Sequence, residues 1–273
     1  MQYRIGIVAD LLGISPEGLR LYERSGILDA QREAGGSYRK YGHLDITALI
    51  RARSYHNCGF SLKQTQSLLN SDDLSQVQSL YEEKLADLEQ ELVRKQATLS
   101  CLQELHQLTC AIPQLLGSIT RCVRPELYRL EFMAGDQLLL TPGECKEFGR
   151  WVDLTPFSFP AQRTSWQALL EGRDESVSAI GIFRQYAELF GLPLCSRAIR
   201  YEATSCLYTV VQLCGEQASA TEYLAPLLAY VQEHGLTVTG DPIARTFLSM
   251  NKRNHYTRYR QIWLPIQETK KSP

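Results

Sequence analysis

From Leu74 to Ile112 the chain contains neither proline nor glycine, and no other stretch limits the fold so strongly. Tyr81, Leu85, Leu88, Leu92, Lys95, Leu99, Leu102 and His106 follow one another at alternating steps of four and three. That is the a/d pattern of a coiled-coil seam, with Lys95 and His106 as polar interruptions. At 1.5 Å per residue such a helix is on the order of 50 Å long. It cannot bury its stripe against itself, so a partner helix is expected; packing on its own domain is the alternative. The segment "SDDLSQ" marks the start, with Ser71 or Asp72 as cap, and Pro113 and Gly117 mark the end.

This helix divides the chain into residues 1–72, 73–119 and 120–273. Hydrophobic residues make up 44% and charged residues 22%, the balance of a soluble globular protein. The net charge of −1 offers no bulk attraction for nucleic acid, so any basic face must come from placement. Eight cysteines without a C-x-x-C pair read as reduced thiols in a cytoplasm. Asp10 interrupts the early apolar run, so no leader is expected, and no stretch approaches the roughly 20 apolar residues of a membrane span. A membrane is not an expected partner.

Upstream of the helix, "IGIVADLLGISPEGLRLYERSGIL" places Ala9, Gly13 and Leu19 at the spacing A-x3-G-x5-L. A small Ala9 lets two helices cross closely, Gly13 supplies a positive φ at the turn, and Leu19 anchors the second helix. Ser15 caps that second helix and Pro16 takes its first position. Ser15, Glu17, Gly18, Arg20 and Tyr22 lie in its opening turns, where a recognition helix meets base edges and phosphates. Next comes "GGSYRKYGHLD", a glycine-bounded hairpin tip presenting Tyr38, Arg39, Lys40 and Tyr41. Arginine supplies charge-assisted bonds to a phosphate backbone, and the phenols add neutral ones.

In this order, the motifs resemble the DNA-binding region of MerR-family transcription regulators, whose recognition helix reads roughly S-x-x-x-L-R-x-Y-x-x-x-G-L and whose wing reads Y-R-x-Y. The resemblance covers about residues 3–70. It implies that Arg20, Tyr22, Arg39 and Tyr41 contact DNA, and that "GFSLKQTQSLL" forms a second helix pair in which Ser61 caps a helix against phosphate. The family often carries a second tyrosine where this chain has Leu21. It further implies a homodimer through the long helix, a pseudo-palindromic double-stranded promoter site, and RNA polymerase on the same promoter.

The third segment holds all three tryptophans and seven of the eight phenylalanines. Strands are expected at "DQLLLT" (136–141), "AIGIF" (179–183), "CLYTVVQL" (206–213) and "RQIWLPI" (260–266), and helices at 161–171 and 218–234, the latter closed by Gly235. The pattern is α+β, with helices on a largely antiparallel sheet. The order of "CLYTVVQLCGE", "ATEYLAPLLAYVQEHG", "LTVTGDPIARTFL" and "IWLPI" resembles the GyrI-like effector-binding domain of drug-responsive family members. The resemblance thus implies a mainly α winged helix-turn-helix, a long dimerisation coiled-coil helix and an α+β effector-binding domain.

A small lipophilic effector, aromatic or cationic, is the implied partner of that domain. Tyr259, Gln261 and Trp263 share one strand face, and Trp151, Phe183, Tyr201 and Tyr208 are further candidate walls for stacking and cation–π contact. Relatives that bind organic cations often carry a glutamate where this chain has Gln261; Glu202 is a candidate substitute carboxylate, and a neutral aromatic ligand is the other option. The rival reading is a metal sensor using Cys101, Cys110 and Cys122. Catalysis is not expected: His234 and His255 are the only histidines of the segment, and no phosphate loop or H-E-x-x-H accompanies them. No cofactor is called for.

Overall fold

The structure, a computed structural model, describes residues 2–28, 31–32, 39–215, 218–252 and 255–267. Its internal contacts divide the chain into two units, Met1–Lys95 and Gln96–Pro273.

The first unit opens with β1 (Tyr3–Arg4), α1 (Ile5–Leu12) and α2 (Pro16–Arg24), continues through β2 (Gln31–Arg32) and β3 (Arg39–Tyr41), and closes on α3 (His43–Asn57) and α4 (Leu62–Asn70). Each helix end has a local cause. Gly13, at φ +59°, turns the chain after α1, and its N–H bonds back to Ala9 and Asp10. The Ser15 hydroxyl accepts the Gly18 N–H at 3.1 Å, starting α2. Ser61 and Gln64 exchange bonds of 3.2 and 2.9 Å at the start of α4, a capping box. Val8, Ala9, Leu19, Ile27, Leu49 and Ala52 form the core between the helices. Strand β3 lies between β1 and β2, antiparallel to both.

Helix α5 (Leu74–Leu115) runs from the first unit into the second. Asp73 caps it, accepting the Ser75 N–H at 2.8 Å, while Ser71 holds the N–H of Asp73 itself; the cap therefore lies one or two residues beyond the positions expected. Pro113 sits inside the helix rather than ending it, and the chain turns at Gly117, φ +73°. Two faces of α5 differ. Tyr81 packs edge-on against Tyr55 and Phe60 of its own unit. Leu85, Leu88, Leu92, Leu99 and Leu102 stay exposed, whereas Ala97, Cys101 and Ile112 are buried. Packing on its own domain thus occupies one side and the Tyr81 end of the seam, and leaves the seam leucines exposed.

The second unit is built on an antiparallel sheet. Its elements are β4 (Thr120–Arg124), β5 (Leu127–Ala134), β6 (Gln137–Leu138), α6 (Pro142–Asp153), β7 (Ser158–Thr164), α7 (Trp166–Leu170), β8 (Ser176–Phe183), α8 (Arg184–Leu189) and β9 (Ile199–Tyr201). There follow β10 (Thr204–Cys214), α9 (Ala220–Tyr223), α10 (Ala225–Glu233), β11 (Ile243–Lys252) and β12 (His255–Pro265). Strand order is β4-β10-β12-β11-β7-β8-β5-β6, with β9 also on β5. Three expectations need correction. Residues 158–164 form a strand, and only Trp166–Leu170 is helical, because Ser165 provides the cap, accepting the Ala168 N–H. Of "DQLLLT", only Gln137–Leu138 pair, since Thr141 already caps α6 through Glu144. The expected helix at 218–234 breaks at Leu224, ahead of Pro226, before ending at Gly235 with φ +58°.

Alternation along β12 separates two cores. Ile262 and Leu264 pack with Leu224, Leu227 and Val231. Trp263 faces the other way, into a cluster with Phe159, Phe183 and the buried Ala97 and Cys101 of α5.

Candidate functional sites: an exposed helix face and an aromatic cavity

On α2 the apolar Leu19 is buried, and Glu17, Arg20, Leu21 and Arg24 lie at steps of three and four on the outer face. Arg20 and Glu17 are joined at 2.6 Å, with side chains 45% and 74% exposed. Gly18 has a packing reason: a Cβ there would stand 2.7 Å from Ile14 Cγ2. Tyr22 is half-buried against the core. Arg24 was missed by sequence reading, although its place one turn after Arg20 was a usable signal.

On the hairpin, Arg39 pairs in the backbone ladder with Arg32, and Lys40 pairs with Arg4 and Gln31. Lys40 is half-buried. Tyr38 and the side chain of Arg39 lie outside the described residues. Tyr41 does not fit an expected DNA contact. It is 0% exposed, and its hydroxyl donates to Glu23 Oε1 at 2.5 Å. Successive residues of a strand point to opposite faces, so Lys40 and Tyr41 cannot both face outward. Ser15 and Ser61 are exposed helix caps.

The second unit carries an open cavity of about 570 Å³. Tyr208 on β10, Gln261 and Trp263 on β12 and Arg245 on β11 come from three adjacent strands; Phe183 closes one side, and Glu104 of α5 contributes another. A polar chain crosses it. Arg245 Nη1 donates to Glu104 Oε1 at 2.6 Å and to Gln261 Oε1 at 3.3 Å, and Gln261 Nε2 lies 3.1 Å from the Tyr208 hydroxyl. Burial raises the Tyr208 phenol above its ordinary pKa, against a smaller opposing effect of the Gln261 bond. The Arg245 guanidinium carbon stands 4.8 Å from the ring centroid of Phe159 and 5.1 Å from that of Phe183. Gly181 permits this stack, since a Cβ there would come within 2.7 Å of the Phe159 ring.

At the rim, Glu126 is held by Arg200 at 2.5 Å and Arg184 at 3.0 Å, and Arg184 also grips Glu188 at 2.6 Å. The bonds from Arg200 and then Arg184 hold the Glu126 carboxyl below its ordinary pKa.

Four of the expected ligand residues therefore meet: Phe183, Tyr208, Gln261 and Trp263. Four do not. Trp151 is fully buried on α6, and its carbonyl accepts the Ser158 hydroxyl at 2.6 Å. Tyr201 is occupied by two buried arginines, lying 5.5 Å from the guanidinium carbons of Arg124 and Arg129. Glu202 is exposed, and its backbone carbonyl is what Arg124 holds at 2.8 Å. Tyr259 shares the face of Trp263 but lies four residues along, about 13 Å at the usual strand rise, and meets Phe247 instead. Sequence reading missed Glu104 and Arg245. A charged residue amid the apolar "DPIARTFL" was the available sign of a buried partner.

The three cysteines of the metal reading are separated in role. Cys101 is buried with Sγ 3.8 Å from the Pro156 carbonyl, Cys110 is exposed beside His106, and Cys122 lines the cavity. Burial pushes both the Cys101 and the Cys122 thiols up. Among the described residues no group of three or more His, Cys, Asp or Glu is placed to hold a metal. No described helix is long and apolar enough to cross a membrane.

Comparison with known proteins concerns mainly the first unit. Residues 3–72 match the model of the MerR HTH family regulatory proteins. The mercuric resistance operon regulatory protein of Pseudomonas fluorescens is 33% identical over 122 residues, 42% of this chain and 81% of that protein. Its counterpart from Serratia marcescens is 35% identical over 102 residues, 35% of this chain and 71% of that one. A solved EcmrR–DNA complex aligns with 98% of this chain and 100% of its own at 14% identity, but the TM-score of 0.37 is too low for the likeness to bear weight. With a helix-turn-helix head that fits the family pattern, and relatives a third identical that it spans for most of their length, the chain belongs to the MerR family of DNA-binding transcription regulators.

Proposed function

We propose that the protein is a ligand-responsive transcription activator that acts as a homodimer on promoter DNA in the cytoplasm, with a GyrI-like second unit as its sensor. Helix α2 enters the major groove through Glu17, Arg20 and Arg24, with Ser15, Gly18 and Tyr22 at its opening turns. The hairpin residues Tyr38, Arg39 and Lys40 follow the adjacent phosphates, and the α4 start at Ser61 meets a further one. Tyr41 is withdrawn from this set and kept as core. The exposed seam of α5 pairs with the same seam of a second protomer.

One observation carries the sensing half of this reading: the 570 Å³ cavity walled by Phe183, Tyr208 and Trp263 takes one of its lining residues, Glu104, from α5. Its size lies within the range of small-molecule sites. A lipophilic aromatic compound bound there touches the helix proposed to join the protomers. Differential affinity for two dimer states then changes how the heads hold the DNA, whose bending and untwisting let RNA polymerase engage.

The test is a thermal-unfolding screen of the full chain with lipophilic aromatic compounds, paired with footprinting. A binding compound at 100 times its Kd stabilises by about 2.7 kcal/mol and raises the midpoint. Footprints should be two-fold symmetric. An unmoved midpoint across the panel defeats the sensor, and an asymmetric single-site footprint defeats the dimer.

A further inference from the structure

The cavity holds a cation that cannot leave it. The Arg245 side chain is 4% exposed, its guanidinium lies against the two adjoining rings of Phe159 and Phe183, and its buried Nε has no hydrogen-bond partner. Glu104, its counter-charge, is 38% exposed. A guanidinium stripped of its partner in such a place is costly, whereas a carboxylate already half in water loses little by turning fully into it. Of the two ions, only Glu104 is exchangeable.

The other two described carboxylates lining the cavity are paired with rim arginines rather than with the buried cation. Glu126 is shared by Arg184 and Arg200, and Glu188 is bonded to Arg184. Gln261 is neutral and bonded to both Arg245 and Tyr208. A cationic ligand seated against the buried pair would have to take Glu104 and leave Arg245 buried and uncompensated. An anionic ligand need only stand where Glu104 stands, with aromatic walls for the rest of it.

We infer that the effector is an aromatic acid whose carboxylate replaces Glu104 on Arg245, untying α5 from strand β11 as it binds. This rests on the reading of the cavity as the sensor site and names the chemical class that site takes.

Isothermal titration of the full-length protein with 2-naphthoate, 2-naphthamide and tetraphenylphosphonium tests it. The acid should bind about tenfold more tightly than the amide. Glu104→Gln keeps a hydrogen-bond acceptor for Arg245 but withdraws the competing charge. It should tighten 2-naphthoate by about tenfold and leave the amide unchanged. Arg245→Gln, checked for folding by circular dichroism, should abolish the preference for the acid. Equal binding of acid and amide overturns the inference. So does an acid affinity unmoved by Glu104→Gln, which remains decisive even if Arg245→Gln fails to fold. Binding of tetraphenylphosphonium alone overturns the acid class yet leaves the sensor reading standing. Silence from all three probes removes both.

Discussion

Two arginine–glutamate pairs, one in each unit, share a separation of 2.6 Å and differ in everything else. Arg20 and Glu17 stand one turn apart on α2 with side chains 45% and 74% exposed. Arg245 and Glu104 come from places 141 residues apart in the chain, with side chains 4% and 38% exposed. An exposed pair within one helix is worth roughly 0.3–0.5 kcal/mol, so Arg20 is free to trade its carboxylate for a phosphate or a base. A buried guanidinium has no such freedom, and whatever binds beside it must answer its charge. Bond length alone does not distinguish an exposed pair from a buried one; solvent does.

The most forceful attack on this contrast is to cut each pair at its acid. Glu104→Ala is expected to lower the urea-unfolding free energy of the second unit by about 3 kcal/mol, at the low end for a buried pair because Glu104 is partly wet. Glu17→Ala should change that of the first unit by less than about 0.5 kcal/mol. Equal losses would erase the distinction.

A smaller effect separates the residues proposed to read DNA from supporting ones inside the first unit. Tyr41→Phe removes a bond to the Glu23 carboxylate and should cost about 1.5–3 kcal/mol of stability, while affinity for DNA measured well below the melting point stays near wild type. Arg20→Ala should do the reverse, sparing the melting curve and weakening specific DNA binding by about 1–3 kcal/mol in a gel-shift titration. A Tyr41→Phe protein that melts normally but loses DNA affinity would return Tyr41 to the contact set.

Smallest is a pH effect on a half-buried carboxylate of the second unit. The Thr141 N–H and hydroxyl, followed by Arg197, hold Glu144 down to about 2 from its ordinary 4.5. A depressed folded-state pKa contributes stability that is complete above 4.5 and is lost as pH falls toward 2. Acid titration of unfolding midpoints should show this decline in the wild type and a shallower one in Glu144→Gln. Parallel curves would mean the α6 cap carries no charge-linked stability.

How much could be read in advance follows the same divide. Gly13, Ser15 and Ser61 occupy their turn and caps as expected, because each acts on backbone groups within about one helical turn of itself. The failures have local reasons too. Tyr41 lay next to Lys40 in a run that looked uniformly surface-seeking, and strand alternation turned it inward. Residues 158–164 carry no strand period in the sequence, because Pro160 interrupts the run and the polar Ser158 and Thr164 are buried in it. Among the candidate ligand residues, Trp151 and Tyr201 are aromatic, which says nothing about whether a ring faces a cavity or a core.

The order of residues by itself determined the helix-turn-helix head, the existence and exposed stripe of α5, and the antiparallel α+β character of the second unit. These depend on spacings of two, three and four residues, and the backbone imposes those periods wherever the segment folds. Only the tertiary structure decided that Glu104, Arg245, Gln261 and Tyr208 form one bonded chain. Their meeting depends on β10, β12 and β11 lying side by side beneath α5, an adjacency produced by packing the whole sheet and written in no local spacing.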